Sequence, residues 1–127
     1  MVEKLVEIGI LFDFYGKLLT EKQYSIVEMF YIEDFSLSEI GEEINITRQG
    51  VYDTLKRAEE KLYQYENTLG LVSKFRDSYI NIKKILELTK DIKNSIEKED
   101  YVKTINSANL IEDIGLEIIE NSWEVID

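Results

Sequence analysis

Leu37-Ser-Glu-Ile-Gly-Glu-Glu-Ile-Asn-Ile-Thr-Arg-Gln-Gly-Val-Tyr-Asp-Thr-Leu-Lys56 is the stretch on which the fold turns. It reads as a helix-turn-helix: a short scaffold helix, a tight turn, and a second helix of the kind that nucleic-acid-binding proteins lay in the major groove. Ile40, Ile44, Ile46, Val51 and Leu55 fall where two crossing helices must share a core. Gly41 lacks the bulk that would push the second helix away. Asn45 stands at the turn, where a positive φ is needed and Asn is the best substitute for Gly. Thr47 is placed to cap the second helix.

Helical patterning continues on both sides of this motif. Leu5, Ile8, Leu11, Phe12, Tyr15, Leu18 and Leu19 recur at helical spacing, which predicts a first helix over 3–18. Thr20-Glu-Lys-Gln23 is a capping box opening a second helix to about Ile32, with Ile26, Val27, Phe30 and Tyr31 inward. Ser36-Leu-Ser-Glu39 is another, opening the scaffold helix. The fourth helix starts at Thr47 and is expected to reach about Glu66, with Val51, Leu55, Ala58 and Leu62 inward. Asn67-Thr-Leu-Gly70 is the one clear break.

After the break, Leu71, Phe75, Ile82, Ile85, Leu86, Ile92 and Ile96 mark a long fifth helix. Following a turn near 97–100, Tyr101, Ile105, Ala108, Ile111, Ile118 and Ile119 mark a sixth. No strand pattern and no repeat is present. The expected fold is all-α: a helix-turn-helix domain over 1–69, with its motif at 37–56, and a helical extension over 70–127 for packing or dimerisation.

Composition narrows the function. The 127 residues hold no Cys, His or Pro. That leaves no thiolate or imidazole for catalysis or metal binding, and it suits long uninterrupted helices. The carboxylate pairs Glu42-Glu43 and Glu59-Glu60 are adjacent in sequence, so on a helix they diverge and make no acid–base couple. No phosphate-loop, nucleophile-elbow, zinc or EF-hand motif occurs, and no enzyme, metal or cofactor is expected. No apolar run approaches membrane-spanning length, so no membrane insertion is expected. Met1-Val-Glu-Lys-Leu5 carries no signal-peptide or lipidation pattern, which gives an expectation of a cytoplasmic protein.

Charge complicates the motif. The chain carries 26 acidic against 15 basic residues, net −11. Residues 74–93 hold six basic and three acidic side chains, while residues 104–127 hold six acidic and no basic ones. A cationic helix is thus followed by an anionic one.

From Leu11 to Phe75 the chain resembles the YlxM-like proteins, a small bacterial family. The text that carries the resemblance is Leu11-Phe-Asp-Phe-Tyr15, Leu18-Leu-Thr-Glu-Lys-Gln23, Ser36-Leu-Ser-Glu-Ile-Gly-Glu-Glu43, Arg48-Gln-Gly-Val-Tyr-Asp53, Lys56-Arg-Ala-Glu59 and Leu69-Gly-Leu71. The resemblance covers about half the chain. It implies a helix-turn-helix of the type found in region 4 of sigma factors. It also implies a link to the signal recognition particle pathway, since genes of the family neighbour those for the particle's protein and its receptor.

On the recognition helix, Arg48, Gln49, Tyr52, Asp53, Lys56 and Arg57 are expected to point outward. Arg and Gln can read guanine and adenine edges, and Lys56 or Arg57 can meet phosphates. The plainer reading makes Arg48 and Gln49 solvated first-turn residues and pairs Arg57 with Asp53 at i, i+4. Residues 47–62 offer four basic and three acidic side chains, enough for roughly 2–4 phosphate contacts per monomer. That is thin. Asp53, Glu59 and Glu60 oppose phosphate.

Lys74, Arg76, Lys83, Lys84, Lys90 and Lys93 form either a stripe for RNA or an acidic protein, or an ordinary mixed-charge face neutralised by the acidic sixth helix. The wide apolar stripes of the last two helices need a cover: the first four helices, each other, or a second subunit, a homodimer being preferred. Trp123 is expected to anchor the last helix, the alternative being that it fills a partner's pocket. Phe12, Phe14, Tyr15, Tyr24, Phe30, Tyr31 and Phe35 are expected to be core packing rather than base-stacking platforms, since their polar neighbours are mostly acidic.

Two functional readings remain. In one, the chain is a regulatory adaptor contacting a signal recognition particle component or its RNA, or RNA polymerase. In the other, it is a transcriptional regulator binding duplex DNA through Arg48, Gln49, Tyr52, Lys56 and Arg57.

Overall fold

A computed structural model describes residues 2–123, with side chains to 121; the expectation for Trp123 falls outside the described side chains. Six α-helices follow in order: α1 Val2–Tyr15, α2 Glu21–Val27, α3 Leu37–Ile44, α4 Arg48–Leu69, α5 Leu71–Glu97 and α6 Tyr101–Trp123. A 3-10 turn, Gly16–Leu18, ends α1, and a π-helical turn, Glu28–Ile32, extends α2. The chain is all-α, and its contacts divide it into units 1–72 and 73–127.

In the first unit, α1, α2 and α3 all pack on α4. The core comprises Ile8, Leu11, Phe12 and Tyr15 of α1, Ile26 and Val27 of α2, Ile40 of α3, and Val51, Leu55, Ala58 and Leu62 of α4, with Leu19 and Met29 completing it. The four inward positions of α4 match the sequence pattern, because spacings of three and four return a side chain to the same helix face.

The caps hold the elements in place. Thr20 Oγ1 accepts the Gln23 N–H while Gln23 Oε1 accepts the Thr20 N–H, each at 3.2 Å. Ser36 and Glu39 do the same at the start of α3. Each reciprocal pair satisfies two helix-terminal donors, so α2 and α3 begin where the sequence places them.

Two features differ from the sequence reading. The last turn of the second helix closes i→i+5, with the Glu33 N–H on the Glu28 carbonyl at 3.0 Å. That wider turn places Met29 in the core and leaves Phe30 and Tyr31 partly buried at its edge. Phe14, counted with the core aromatics, is exposed on the outer side of α1. By contrast Phe12 packs against Tyr24 inside the bundle, with ring centroids 4.7 Å apart and planes tilted by 40°.

In the second unit, α5 and α6 form an antiparallel hairpin. Residues 81–91 of α5 and 110–117 of α6 line a common groove. Glu99, at φ 58°, makes the turn, and the Asp100 carboxylate caps α6 by accepting the Lys103 N–H at 3.2 Å. Among the described residues of this unit, Ser95 and Ser107 are buried and no apolar side chain is.

The helix-turn-helix and its recognition helix

The turn between α3 and α4 is built as its sequence demands. Asn45 takes φ 59°, ψ 48°, and its N–H reaches the Gly41 carbonyl. The Ile46 N–H also bonds that carbonyl, at 3.0 Å. A Cβ on Gly41 would stand 2.8 Å from the Ile46 backbone oxygen, so glycine is what lets the chain fold back this closely. Thr47 Oγ1 then accepts the Gly50 N–H at 3.0 Å and starts α4.

From this start α4 presents an exposed arc holding Arg48, Gln49, Tyr52, Asp53, Lys56 and Arg57. The acids on the helix hold part of that arc. Gln49 Nε2 donates to Asp53 Oδ1 at 3.0 Å, so the amide that would read an adenine edge is bonded within its own helix. Asp53 thereby takes Gln49 rather than Arg57, and Arg57 has no ion pair among the described residues. Lys56 Nζ lies 5.7 Å from the Tyr52 ring centroid and 3.9 Å from Glu59 Oε2. Arg48 and Arg57 are left as the arc's uncommitted cations.

Glu59 is a residue the sequence reading misplaced. It is buried rather than opposing phosphate at the surface. Its carboxylate accepts the Tyr31 hydroxyl and meets Lys4 Nζ at 3.2 Å. The spacing was informative: Glu59 lies four residues after Leu55 and three before Leu62, on the inward face. Burial, reinforced by the hydrogen bond to Glu59, pushes the Tyr31 hydroxyl above the usual phenol range.

The same pairing recurs along α4. Tyr63 donates to Glu7 at 3.0 Å, and Tyr15 donates to Glu66 at 2.5 Å. Burial first, and the carboxylate partner second, raise both hydroxyls as well. Tyr15 Oη also accepts the Leu71 N–H at 3.1 Å, and Glu66 Oε1 accepts the Val72 N–H at 3.0 Å. These two side chains satisfy two of the donors that α5 leaves open at its N-terminus. Beside the recognition helix, a cleft of ≈ 360 Å³ runs over Glu59, walled by Phe30, Phe35 and Tyr52 and edged by Lys4 and Lys56.

This geometry defines the class: a helix-turn-helix protein whose recognition helix is exposed and only weakly cationic. The family described as "Putative helix-turn-helix protein, YlxM / p13 like", UPF0122, matches residues 2–107. A UPF0122 protein of Caldanaerobacter subterraneus is 52% identical over 87 residues, covering 68% of this chain and 74% of that one. One from a Thermoanaerobacter species is 44% identical over 117 residues, covering 91% and 100%. One from Bacillus pumilus is 42% identical over 104 residues, covering 82% and 94%. The chain belongs to the UPF0122 family of YlxM-like helix-turn-helix proteins.

Proposed function

We propose that the chain is a cytoplasmic regulatory adaptor that works as a homodimer, with its sigma-region-4-like helix-turn-helix serving contact with a macromolecular partner. The observation that carries this reading is the internal commitment of the recognition helix. Gln49 bonds Asp53, and Lys56 sits between Tyr52 and Glu59, so little of the arc is free for phosphate. Glu42, Glu43 and Glu60 are exposed on the same two helices and add negative potential around it. Affinity for duplex comes mainly from counterions released by several phosphate contacts, and two free arginines supply few of them. The family resemblance directs the partner to the signal recognition particle pathway, as the particle's protein or its RNA. No described helix is long and apolar enough to cross a membrane.

A second reading, a duplex-binding transcriptional regulator, is favoured by one observation. Arg48 is exposed on the first turn of a well-capped α4, where recognition helices contact base edges. Capture assays separate the two. Immobilised full-length protein is expected to retain purified particle protein or its RNA at about 150 mM salt, a Debye length of roughly 8 Å. Retention of neither, with retention of random duplex that is lost in Arg48→Ala/Arg57→Ala, would replace the first reading by the second.

A further inference from the structure

The α5–α6 hairpin has two faces of different character. On one, Asn81, Lys84, Glu87 and Asp91 of α5 and Glu117 of α6 edge a groove between the helices that Leu88, Leu110 and Ile114 also line. On the other, Tyr79, Ile82 and Leu86 of α5 follow each other at spacings of three and four, as do Tyr101, Ile105 and, further on, Leu116 and Ile119 along α6. All seven are exposed, Leu86 at 59% and Ile105 at 60%. Residues that face the neighbouring helix, such as Ile85, Ile92, Ile111 and Ile114, lie on a separate stripe and are only half-buried. In an antiparallel pair the handedness of the two helices turns both exposed stripes toward the same side. The result is an apolar face, interrupted by Lys93 and Glu97 on α5 and by Glu112 on α6, on a unit whose described residues include no buried apolar side chain.

The charges at the borders of this face are sorted by helix. Lys83 and Lys90 run along its outer edge on α5, and Asp113 and Glu120 along its outer edge on α6. These four groups have no ion pair among the described residues. Two hairpins stacked with α5 against α5 would set Lys against Lys. Stacked with α5 over the partner's α6, they bring Lys83 level with Asp113, set Lys90 within about a turn of Glu112, and bury the two apolar faces together. The seven side chains would remove roughly 500–600 Å² per copy, approaching the roughly 800 Å² per partner of a standard interface before neighbouring lysine stems are added.

We infer that this face is a self-association surface: two copies of the chain join through it as a four-helix bundle, with each α5 lying against the partner's α6. The inference rests on the homodimer reading above and names its interface. Sedimentation equilibrium on the full chain between about 1 and 100 μM, roughly the range where such interfaces associate, tests it. The expected mass is twice 14.9 kDa. Ile82→Asp/Ile105→Asp is expected to weaken association at least ~100-fold, an effect of buried hot-spot size. Ile80→Asp, also exposed but off the apolar face, is expected to leave it unchanged. Circular dichroism at the same concentrations confirms that each variant keeps its helices.

A monomeric wild type would overturn the dimer reading itself, including the case in which another part of the same chain covers the face. A dimeric wild type that survives Ile82→Asp/Ile105→Asp would overturn the interface alone. Zero-length carbodiimide coupling of mixed ¹⁴N and ¹⁵N protein checks the pairing: intermolecular Lys83 to Asp113 or Lys90 to Glu112 links are expected. Intermolecular links confined to other residues would overturn the α5-on-α6 arrangement.

Discussion

The two units of this chain use the same local rules and reach opposite ends. Both are runs of strong helix formers with good caps and no proline. In 1–72, every helix turns its apolar stripe onto α4, and Ile8, Ile26, Ile40, Val51 and Leu62 are all at 0% exposure. In 73–127, no described apolar residue is buried at all. The difference lies in the number of apolar faces per helix. A helix with one stripe is satisfied once that face is covered, as α3 is by α4 and the π-helical turn. A hairpin helix with two stripes needs two neighbours, and its own chain partner supplies one.

That contrast can be broken most sharply in the core. Leu62→Ala, at a fully buried site, is expected to cost about 2–5 kcal/mol, read as a lower urea midpoint with unchanged slope. The same change at Leu86, exposed on the hairpin, is expected to shift unfolding by less than ~0.5 kcal/mol at high dilution, where association contributes nothing. Equal costs at the two sites would erase the distinction between the units.

Gly41→Ala comes next. The new Cβ would press on a backbone oxygen that cannot swing aside, and a loss of roughly 1–3 kcal/mol is expected from overpacking the turn. Tyr31→Phe is expected to cost about 1–2 kcal/mol, since Glu59 then stays buried with one bond fewer.

The same tyrosines set the alkaline limit. Tyr15, Tyr31 and Tyr63 hold their protons more tightly folded than unfolded. The folded state therefore binds more protons than the unfolded chain once pH passes the ordinary phenol value of about 10. Their contribution is fully present below that value and drains away as pH rises toward the raised folded values. Urea midpoints should fall from about pH 10 upward, and less steeply in Tyr31→Phe. Thr47→Ala is expected to cost about 1 kcal/mol from loss of the α4 cap, with the hairpin unaffected.

Much of the first unit was legible because its determinants are local. Thr20 and Gln23, Ser36 and Glu39, Asn45 and Thr47 act within three or four residues of themselves, so spacing alone identified them. Gly41 was legible because a helix-turn-helix crossing leaves one tight spot. What escaped was set by distance in space. The Tyr31–Glu59, Tyr63–Glu7 and Tyr15–Glu66 pairs join residues far apart in sequence, and no periodicity announces them. The π turn escaped because composition does not distinguish an i→i+5 closure from an i→i+4 one.

On α5 the apolar residues that helical spacing groups together divide into two stripes: Ile82 and Leu86 stand on the open face, while Ile85 and Ile92 are half-buried toward α6. On the recognition helix, spacing placed Arg48, Gln49, Tyr52, Lys56 and Arg57 on the exposed arc but did not indicate that Gln49 would turn to Asp53. Those two face each other at i, i+4 just as Asp53 and Arg57 do, and the helix satisfies only the first pair.

The recognition helix has the shape of a groove reader and too little free positive charge to act as one unaided. Fluorescence anisotropy of a labelled random duplex, titrated with full-length protein at about 150 mM salt, tests this directly. The expected dissociation constant is weaker than about 100 μM, at or beyond the weak end of ordinary non-specific binding, with a shallow salt dependence. Binding at a few micromolar or tighter, with a steep salt slope abolished by Arg48→Ala/Arg57→Ala, would contradict it.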